Sequence, residues 1–267
     1  MFNRKFLLAA LLSIITPLTL TDQAVAADHT VSSKGKILMV IASPAQNAMG
    51  WPVGFWASEL THPYDELTHA GYTVEIASPK GGEVAVDAYS DPRHESGYSA
   101  RDFVSLGFLT SPITAPLLKN TKSLDSVNDK DYSAIIVAGG QAPMFTFRDN
   151  KKLQSLIINF YESGRPTAAL CHGVSALVDV KNSKGDYLVK GKKVTGFSLA
   201  EDDFADKAVG AKLFTWNIEN GLKERGANFS QAGLWADYAV ADGNLITGQQ
   251  QNSGRSVARL VIQQLTK

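Results

Sequence analysis

The chain has 267 residues, and its 44% hydrophobic content is that of an ordinary globular protein. Its 26 basic and 26 acidic side chains give a formal net charge of zero, so no overall field favours nucleic acid or an anionic membrane as a partner. A single cysteine excludes an internal disulfide, and no histidine or cysteine spacing is typical of a metal site.

Residues 1–26 have the pattern of a secretory signal peptide. A basic start precedes the mostly apolar stretch Phe6–Leu20, and Ala24-Val25-Ala26 has the small-x-small form of a cleavage site. The apolar stretch is short for a membrane span, so an uncleaved anchor is the less favoured alternative. We therefore expect cleavage after Ala26, a single domain over residues 27–267, and a periplasmic or secreted protein without membrane contact.

Apolar runs of strand length alternate with amphipathic stretches along the rest of the chain. The predicted strands are 36–42, 72–77, 132–138, 166–170 and 193–197. The predicted helices are about 55–70, 150–163, 212–225 and 253–265. Asp242-Gly243 predicts a hairpin within residues 238–247. Residues 82–130 are poorly periodic, with room for two short helices, which is more typical of binding surface than of core.

This alternation predicts an α/β fold, with a mainly parallel central sheet and helices on both faces. The active site of such a sheet lies beyond the carboxyl ends of its strands. The loops after Ala42, Ala138, Leu170 and Phe197 meet that condition. We expect them to converge on one pocket.

The only cysteine, Cys171, lies at a predicted turn between a buried strand and a helix. A helix amino terminus favours a thiolate, and the adjacent His172 can supply a base. Gly173 allows the tight turn that such a nucleophile needs. An inert buried thiol is the alternative. We favour a nucleophile, and we expect its pKa to lie below the ordinary value for a thiol.

Four other sites contain side chains or backbone groups that could take part in chemistry. Glu59, early in the first helix, faces either the pocket or solvent. Gly139-Gly140 follows a strand and forms either an oxyanion hole or an ordinary turn. One acid of Glu201-Asp202-Asp203 could orient His172, although such runs more often cap helices. Trp235 either lines the pocket or packs in the core.

Several stretches together resemble the ThiJ/PfpI superfamily, which has the class I glutamine amidotransferase-like fold. The likeness extends from about Lys36 to the end, and it is greatest for the heat-shock-protein-31-like branch, which includes glutathione-independent glyoxalases. The matching stretches are Glu59-Leu60-Thr61-His62-Pro63-Tyr64, Ala77-Ser78-Pro79-Lys80-Gly81-Gly82, Ala169-Leu170-Cys171-His172-Gly173, Val194-Thr195-Gly196-Phe197 and Trp235-Ala236-Asp237-Tyr238.

The resemblance implies a flavodoxin-like three-layer sandwich with a nucleophile elbow. It also implies a Cys-His-acid triad and a buried glutamate against the cysteine. These roles fall on Cys171, His172, Asp202 and Glu59, with Glu201 as the alternative acid. The family further implies a small carbonyl substrate and no metal or organic cofactor, and it allows a homodimer.

Gly140, Gln141 and Trp235 are the expected oxyanion and substrate-binding residues. Glyoxalase members of the family usually have Gly-His-Gly here, with an aspartate a few residues later. This chain has Gly140-Gln141-Ala142, and Thr146 at the position of the aspartate. Gln141 can donate a hydrogen bond to a carbonyl, but it cannot titrate near neutrality as histidine does.

The leading hypothesis is an exported, cysteine-dependent enzyme that converts reactive carbonyls such as methylglyoxal to lactate. One alternative keeps the nucleophile and hydrolyses amides or peptides, or hydrates isonitriles. The non-enzymatic alternative is a holding chaperone. Substitution of Cys171 by serine would separate the enzymes from the chaperone, because only the enzymes need the thiol.

Overall fold

The polypeptide is organised around a seven-stranded sheet with helices on both faces. The computed structural model describes residues 33–267, so the predicted signal segment lies outside the described residues. The strands are β1 (Lys36–Val40), β2 (Ala45–Gln46), β3 (Pro52–Val53), β4 (Thr73–Ser78), β5 (Lys122–Ser123), β6 (Ala134–Val137), β7 (Thr167–Leu170), β8 (Lys193–Val194), β9 (Asn228–Phe229), β10 (Ala239–Asp242) and β11 (Leu245–Gly248). The α-helices are α1 (Ala57–His69), α2 (Phe103–Thr110), α3 (Pro143–Thr146), α4 (Lys151–Glu162), α5 (Leu199–Val209), α6 (Ile218–Glu224) and α7 (Gly254–Leu265).

The central sheet has the order β10-β11-β7-β6-β1-β4-β5. Every neighbouring pair is parallel except β10 and β11, which form an antiparallel hairpin at one edge. The predicted α/β class and the predicted hairpin are therefore confirmed. Gly243 has φ of 63° in the hairpin turn, a conformation that glycine adopts without strain.

Two apolar cores, one on each face of the sheet, make the molecule a three-layer sandwich. Alternate residues of β1 point to opposite faces, so Leu38 enters one core and Met39 the other. Helix α4 covers the first face with residues at helical spacing, including Leu153 and Ile157. Helix α7 covers the second face in the same way through Val257 and Val261.

Two predicted elements differ from the structure. The strand expected at 193–197 is only β8, and it pairs with β9 in a small separate sheet rather than with the central sheet. The helix expected at 212–225 is only α6, and α5 has no counterpart among the predicted helices. A capping box between Ser198 and Glu201 starts α5, and Gly210 ends it with φ of 76°.

The poorly periodic segment contains α2, short 3₁₀ turns and the edge strand β5. Within residues 33–267, no helix has the combined length and apolar character that a membrane crossing requires.

Candidate active site

Cys171 lies in a strained turn directly after β7. Its φ is 54°, in the left-handed region that residues with a side chain rarely adopt. A 3₁₀ helix, Cys171–Leu177, follows in place of the predicted α-helix. Gly173 is required here, because a Cβ atom at that position would lie 2.5 Å from the carbonyl oxygen of Val137. This turn fixes the sulfur at the carboxyl edge of the sheet.

Gly139, just beyond β6, marks the point where the expected site residues meet. A Cβ atom on Gly139 would lie 2.7 Å from Glu59 Oε2, 2.8 Å from the backbone nitrogen of His172 and 2.9 Å from Cys171 Cβ. Only glycine leaves room for these three groups to approach one another. The structure thus brings Glu59, His172 and Cys171 together, as the sequence predicts.

Glu59 is completely buried in the first turn of α1. Its Oε2 accepts a 2.7 Å hydrogen bond from the Gly139 N–H, whereas Oε1 has no hydrogen-bond partner among the described residues. Burial raises the pKa of Glu59 to about 8, although the neighbouring Cys171 and the Gly139 N–H both lower it. The carboxyl group is therefore mostly protonated at neutral pH.

The Cys171 thiol has a raised pKa. Burial is the main cause, and the Glu59 carboxylate adds to it. The backbone N–H groups of His172 and Gly140 interact with the sulfur and act in the opposite direction. The expectation of a lowered thiol pKa is therefore wrong for the free protein, because the side chain is only 3% exposed and only a 3₁₀ turn follows it.

His172 lies between the sulfur and a carboxylate. Its Nδ1 is 3.5 Å from Cys171 Sγ, and its Nε2 is 3.7 Å from Asp202 Oδ1. Within the described residues, neither Nε2 nor that oxygen has a hydrogen-bond partner. Phe197 stacks on the imidazole with a centroid separation of 4.1 Å, and Asn217 donates a 2.7 Å hydrogen bond to Asp202 Oδ2. These contacts orient a Cys-His-Asp arrangement in which a protonated imidazole would face the free carboxylate oxygen.

Glu201, the alternative acid, has a different set of partners. Its carboxylate caps α5 at Ser198 and accepts hydrogen bonds from the Trp235 N–H at 3.1 Å and from Gln249 Nε2 at 2.8 Å. It therefore holds the loop that carries Trp235, while Asp202 faces the histidine.

Asp87 is a buried acid near the site that is not among the residues predicted from the sequence. It accepts hydrogen bonds from the backbone N–H of Gly54 at 2.8 Å and of Gln141 at 2.6 Å. Burial raises its pKa to about 6, while the two N–H groups and nearby His172 lower it. No local pattern distinguishes this aspartate from the solvated ones, because its partners come from distant loops.

A cavity of about 340 Å³ opens above the sulfur. Gly140, Gln141 and Trp235 line it, together with Cys171 and His172. Trp235 has φ of 60°, and its carbonyl accepts a 2.8 Å hydrogen bond from Asn252. Most of the remaining lining is aromatic or aliphatic. Among residues 33–267, no group of three or more His, Cys, Asp or Glu side chains is arranged to hold a metal ion.

Comparison with known proteins gives the same family as the sequence motifs. Residues 116–264 match the DJ-1/PfpI family. The chain is 30% identical over 255 residues to the glutathione-independent glyoxalase hsp3101 of Schizosaccharomyces pombe, covering 87% of this chain and 96% of that protein.

Two solved structures also resemble the chain over almost their whole length. Rapid Encystment Protein 24 kDa of Francisella tularensis has a TM-score of 0.77 and 33% identity, covering 86% of this chain and 99% of that one. Glyoxalase III of Candida albicans has a TM-score of 0.74 and 25% identity, covering 86% and 97%. The chain therefore belongs to the DJ-1/PfpI family, in the branch that includes the heat-shock-protein-31-like glutathione-independent glyoxalases.

Proposed function

We propose that this protein is a cysteine-dependent glyoxalase that converts small 2-oxoaldehydes, such as methylglyoxal, to 2-hydroxy acids without glutathione. The observation that carries the proposal is the convergence of Glu59, Cys171 and His172 at Gly139. This arrangement supplies a nucleophile, a base for its proton and a buried carboxyl group beside the reacting atoms. The relatives named as glyoxalases support the same activity.

In the first step, the thiol of Cys171 adds to the aldehyde carbon. His172 Nδ1, 3.5 Å from the sulfur, takes the thiol proton as the sulfur–carbon bond forms. The electron pair of the carbonyl bond moves to oxygen, where the N–H groups of Gly140 and His172 stabilise the charge. Asp202 stabilises the imidazolium until the oxygen takes up that proton, which gives a hemithioacetal.

In the second step, Glu59 moves a proton between the two adjacent carbons of the substrate. The ionised carboxylate removes the former aldehyde proton and returns a proton to the neighbouring carbon, while the hydroxyl proton of the hemithioacetal passes to the oxygen on that neighbouring carbon. The hemithioacetal becomes a thioester of the 2-hydroxy acid, and no electron enters or leaves. Since the pKa of Glu59 is about 8, this step requires the smaller fraction of the protein in which the carboxyl group is ionised at neutral pH.

In the third step, water attacks the thioester carbon and the sulfur–carbon bond breaks. The thiol is regenerated, and the product is the free 2-hydroxy acid. The net reaction adds one water molecule to the 2-oxoaldehyde. Hydrolysis of an amide by Cys171 would use the same nucleophile, but it would give no role to the buried carboxyl group of Glu59.

The test compares methylglyoxal with amide substrates, using purified protein without glutathione. We expect lactate from methylglyoxal, no amide hydrolysis, and loss of activity in Cys171→Ser. Ser175→Ala, a buried position in the same 3₁₀ helix, controls for disturbance of the turn. Absence of lactate from the wild-type protein, or undiminished lactate from Cys171→Ser, would contradict the proposal.

We also propose that the protein is exported. The support is the basic start, apolar stretch and small-x-small site within residues 1–26.

A further inference from the structure

Two groups of aromatic side chains line the cavity above Cys171. The first comprises Trp56, Tyr89 and Tyr98, which touch edge to face with centroid separations of 6.0 Å and 6.3 Å. Tyr98 is 61% exposed, so this group reaches from the interior to the mouth of the cavity. Exposed rings of this kind are more typical of a binding surface than of a protein core.

The second group comprises Phe197, Phe204 and Trp235. The Trp235 ring lies 5.9 Å from Phe197 and 5.5 Å from Phe204, measured between centroids. Phe204 projects from α5 and is 51% exposed, and Val209 on the same helix extends the apolar lining. Hydrogen bonds from Trp235 to Glu201 and from Asn252 to Trp235 hold this group in place.

Among the described residues 33–267, those that line the cavity include no lysine, arginine, aspartate or glutamate. Its polar members are few, and three of them, Gln141, Cys171 and His172, belong to the reacting end described above. A ligand site with an apolar body and a few convergent polar groups is built for a ligand with one polar end. A ligand with a charged group at its other end would lose the hydration of that group without gaining an oppositely charged partner.

The cavity, at about 340 Å³, is as large as sites that hold drug-sized ligands, which begin at roughly 300 Å³. The methyl group of methylglyoxal would contact only a small part of this surface. A larger apolar substituent would remove more of it from water, and an aryl ring would also gain edge-to-face contacts with the two aromatic groups.

On the basis of the function proposed above, we infer that this site prefers 2-oxoaldehydes with an aryl or bulky apolar substituent over methylglyoxal, and that Phe204 and Val209 help to select that substituent. The 2-oxoaldehyde end lies at Cys171, Glu59 and His172, and the substituent lies between the two aromatic groups. The chemistry is unchanged: water is added, and phenylglyoxal gives mandelate. A single methylene group more or less in an apolar pocket already changes kcat/KM by about 10- to 200-fold.

The experiment measures kcat/KM for phenylglyoxal and for methylglyoxal by following mandelate and lactate. We expect the phenylglyoxal value to be higher by roughly tenfold or more. Phe204→Ala and, separately, Val209→Ser should each reduce this ratio several-fold. Ile113→Ala is the matched control, since Ile113 is 80% exposed and does not line the cavity. Phenylglyoxal also modifies arginine, so Cys171→Ala, which has the same arginines, provides the blank.

A binding measurement separates this inference from the proposed function. Acetophenone and acetone lack the aldehyde, so their affinities for Cys171→Ala report the cavity alone. If neither oxoaldehyde is converted but acetophenone binds more tightly than acetone, the proposed function fails and the aryl preference stands. If methylglyoxal is converted at least as efficiently as phenylglyoxal, or if acetophenone binds no better than acetone, the inference is overturned.

Discussion

At the scale of single residues, the site couples two groups that both disfavour ionisation. Burial raises the pKa of Glu59 and of Cys171, and each negative charge would further disfavour the other. The backbone N–H groups of His172 and Gly140 partly offset this effect at the sulfur. A resting enzyme in which both groups are protonated protects the thiol from unproductive reactions, and reactivity then depends on removal of a single proton.

The pH dependence of turnover follows from that coupling. Glu59 must lose its proton to act as a base, and its pKa is about 8 in the folded protein. We therefore expect kcat/KM for methylglyoxal to rise with pH through about 8. Because the pKa of the Cys171 thiol is raised, the rate of iodoacetamide alkylation should rise only above the pH at which an ordinary thiol ionises. Initial rates between pH 6 and 9.5 would measure both. A profile of kcat/KM that is flat across this range, as a carboxyl group with the ordinary pKa of 4.5 would give, would contradict the assignment.

The same carboxyl group should make stability depend on pH. Its pKa is about 8 when folded and 4.5 in the absence of burial, so the folded state binds more protons between these values. Stability therefore falls as pH rises from 4.5 to 8, by up to about 5 kcal/mol from this group alone. Glu59→Gln should remove this dependence, while Glu83→Gln, at an exposed glutamate, should retain it. Urea unfolding at pH 5 and pH 8 would measure the difference, and parallel behaviour of wild type and Glu59→Gln would refute it.

Asp202 should act through the histidine. Asp202→Asn removes the charge that faces His172 Nε2, so we expect kcat/KM to fall by about 10²-fold or more. Asp203→Asn changes an exposed neighbour on the same helix and should leave activity unchanged. Equal activities of these two variants would show that the Asp202 carboxylate, 3.7 Å from His172 Nε2, has no role in turnover.

Sequence could predict the residues that sit in recognisable local patterns, but not those that depend on distant contacts. Such local patterns mark three places: the turn at Cys171, Glu59 near the start of the first helix, and the acidic run Glu201-Asp202-Asp203. Asp87 and Asn217 act through partners more than ten residues away, so no local pattern marks them. The raised thiol pKa was missed for the same reason, because burial depends on the whole fold.

At the scale of secondary-structure elements, the end of β6 and the turn at Cys171 lie very close together. One added methyl group between them should therefore abolish activity. Gly139→Ala would place a Cβ within 3 Å of Glu59, His172 and Cys171, so we expect loss of activity and a destabilisation of about 1–3 kcal/mol. Gly107→Ala on α2 is the matched control, since a Cβ there meets nothing within 4 Å. Activity of Gly139→Ala near the wild-type value would mean that the three groups are farther apart than described.

The elements themselves were predictable where periodicity is strong. Strands β1 and β6 read as continuous apolar runs because both of their faces are covered. Helix α5 was missed, although Ser198 and Glu201 have the spacing of a capping box, because an acidic run without a strong apolar stripe follows them. Strand β8 has only two residues, so its sequence does not indicate which sheet it joins.

At the scale of the whole molecule, the topology explains why remote loops meet. Strands β1, β6 and β7 are adjacent and parallel, so the segments that follow them emerge at one edge of the sheet. Alternation of strands and helices was enough to predict this edge. Trp235 was predicted to line the pocket, but the rest of the aromatic cavity was not predictable, because Tyr98 and Phe204 come from segments without a shared pattern.

The proposed export also concerns the whole chain. The pattern in residues 1–26 predicts cleavage after Ala26, so the mature protein should begin at Ala27. Intact-mass measurement of protein from its native host would determine the amino terminus. A mass that retains Met1 to Ala26 would rule out cleavage. The family also allows a homodimer, and light scattering on the same sample would measure the oligomeric state.

The most direct test of the central claim measures lactate formation and thiol alkylation in parallel, for the wild-type protein and Glu59→Gln. Glutamine preserves the hydrogen bond from Gly139 but cannot carry a proton between two carbons. We predict that Glu59→Gln still reacts with iodoacetamide at Cys171, while its lactate formation from methylglyoxal falls by about 10²- to 10⁴-fold. Lactate formation by Glu59→Gln at the wild-type rate would contradict the account.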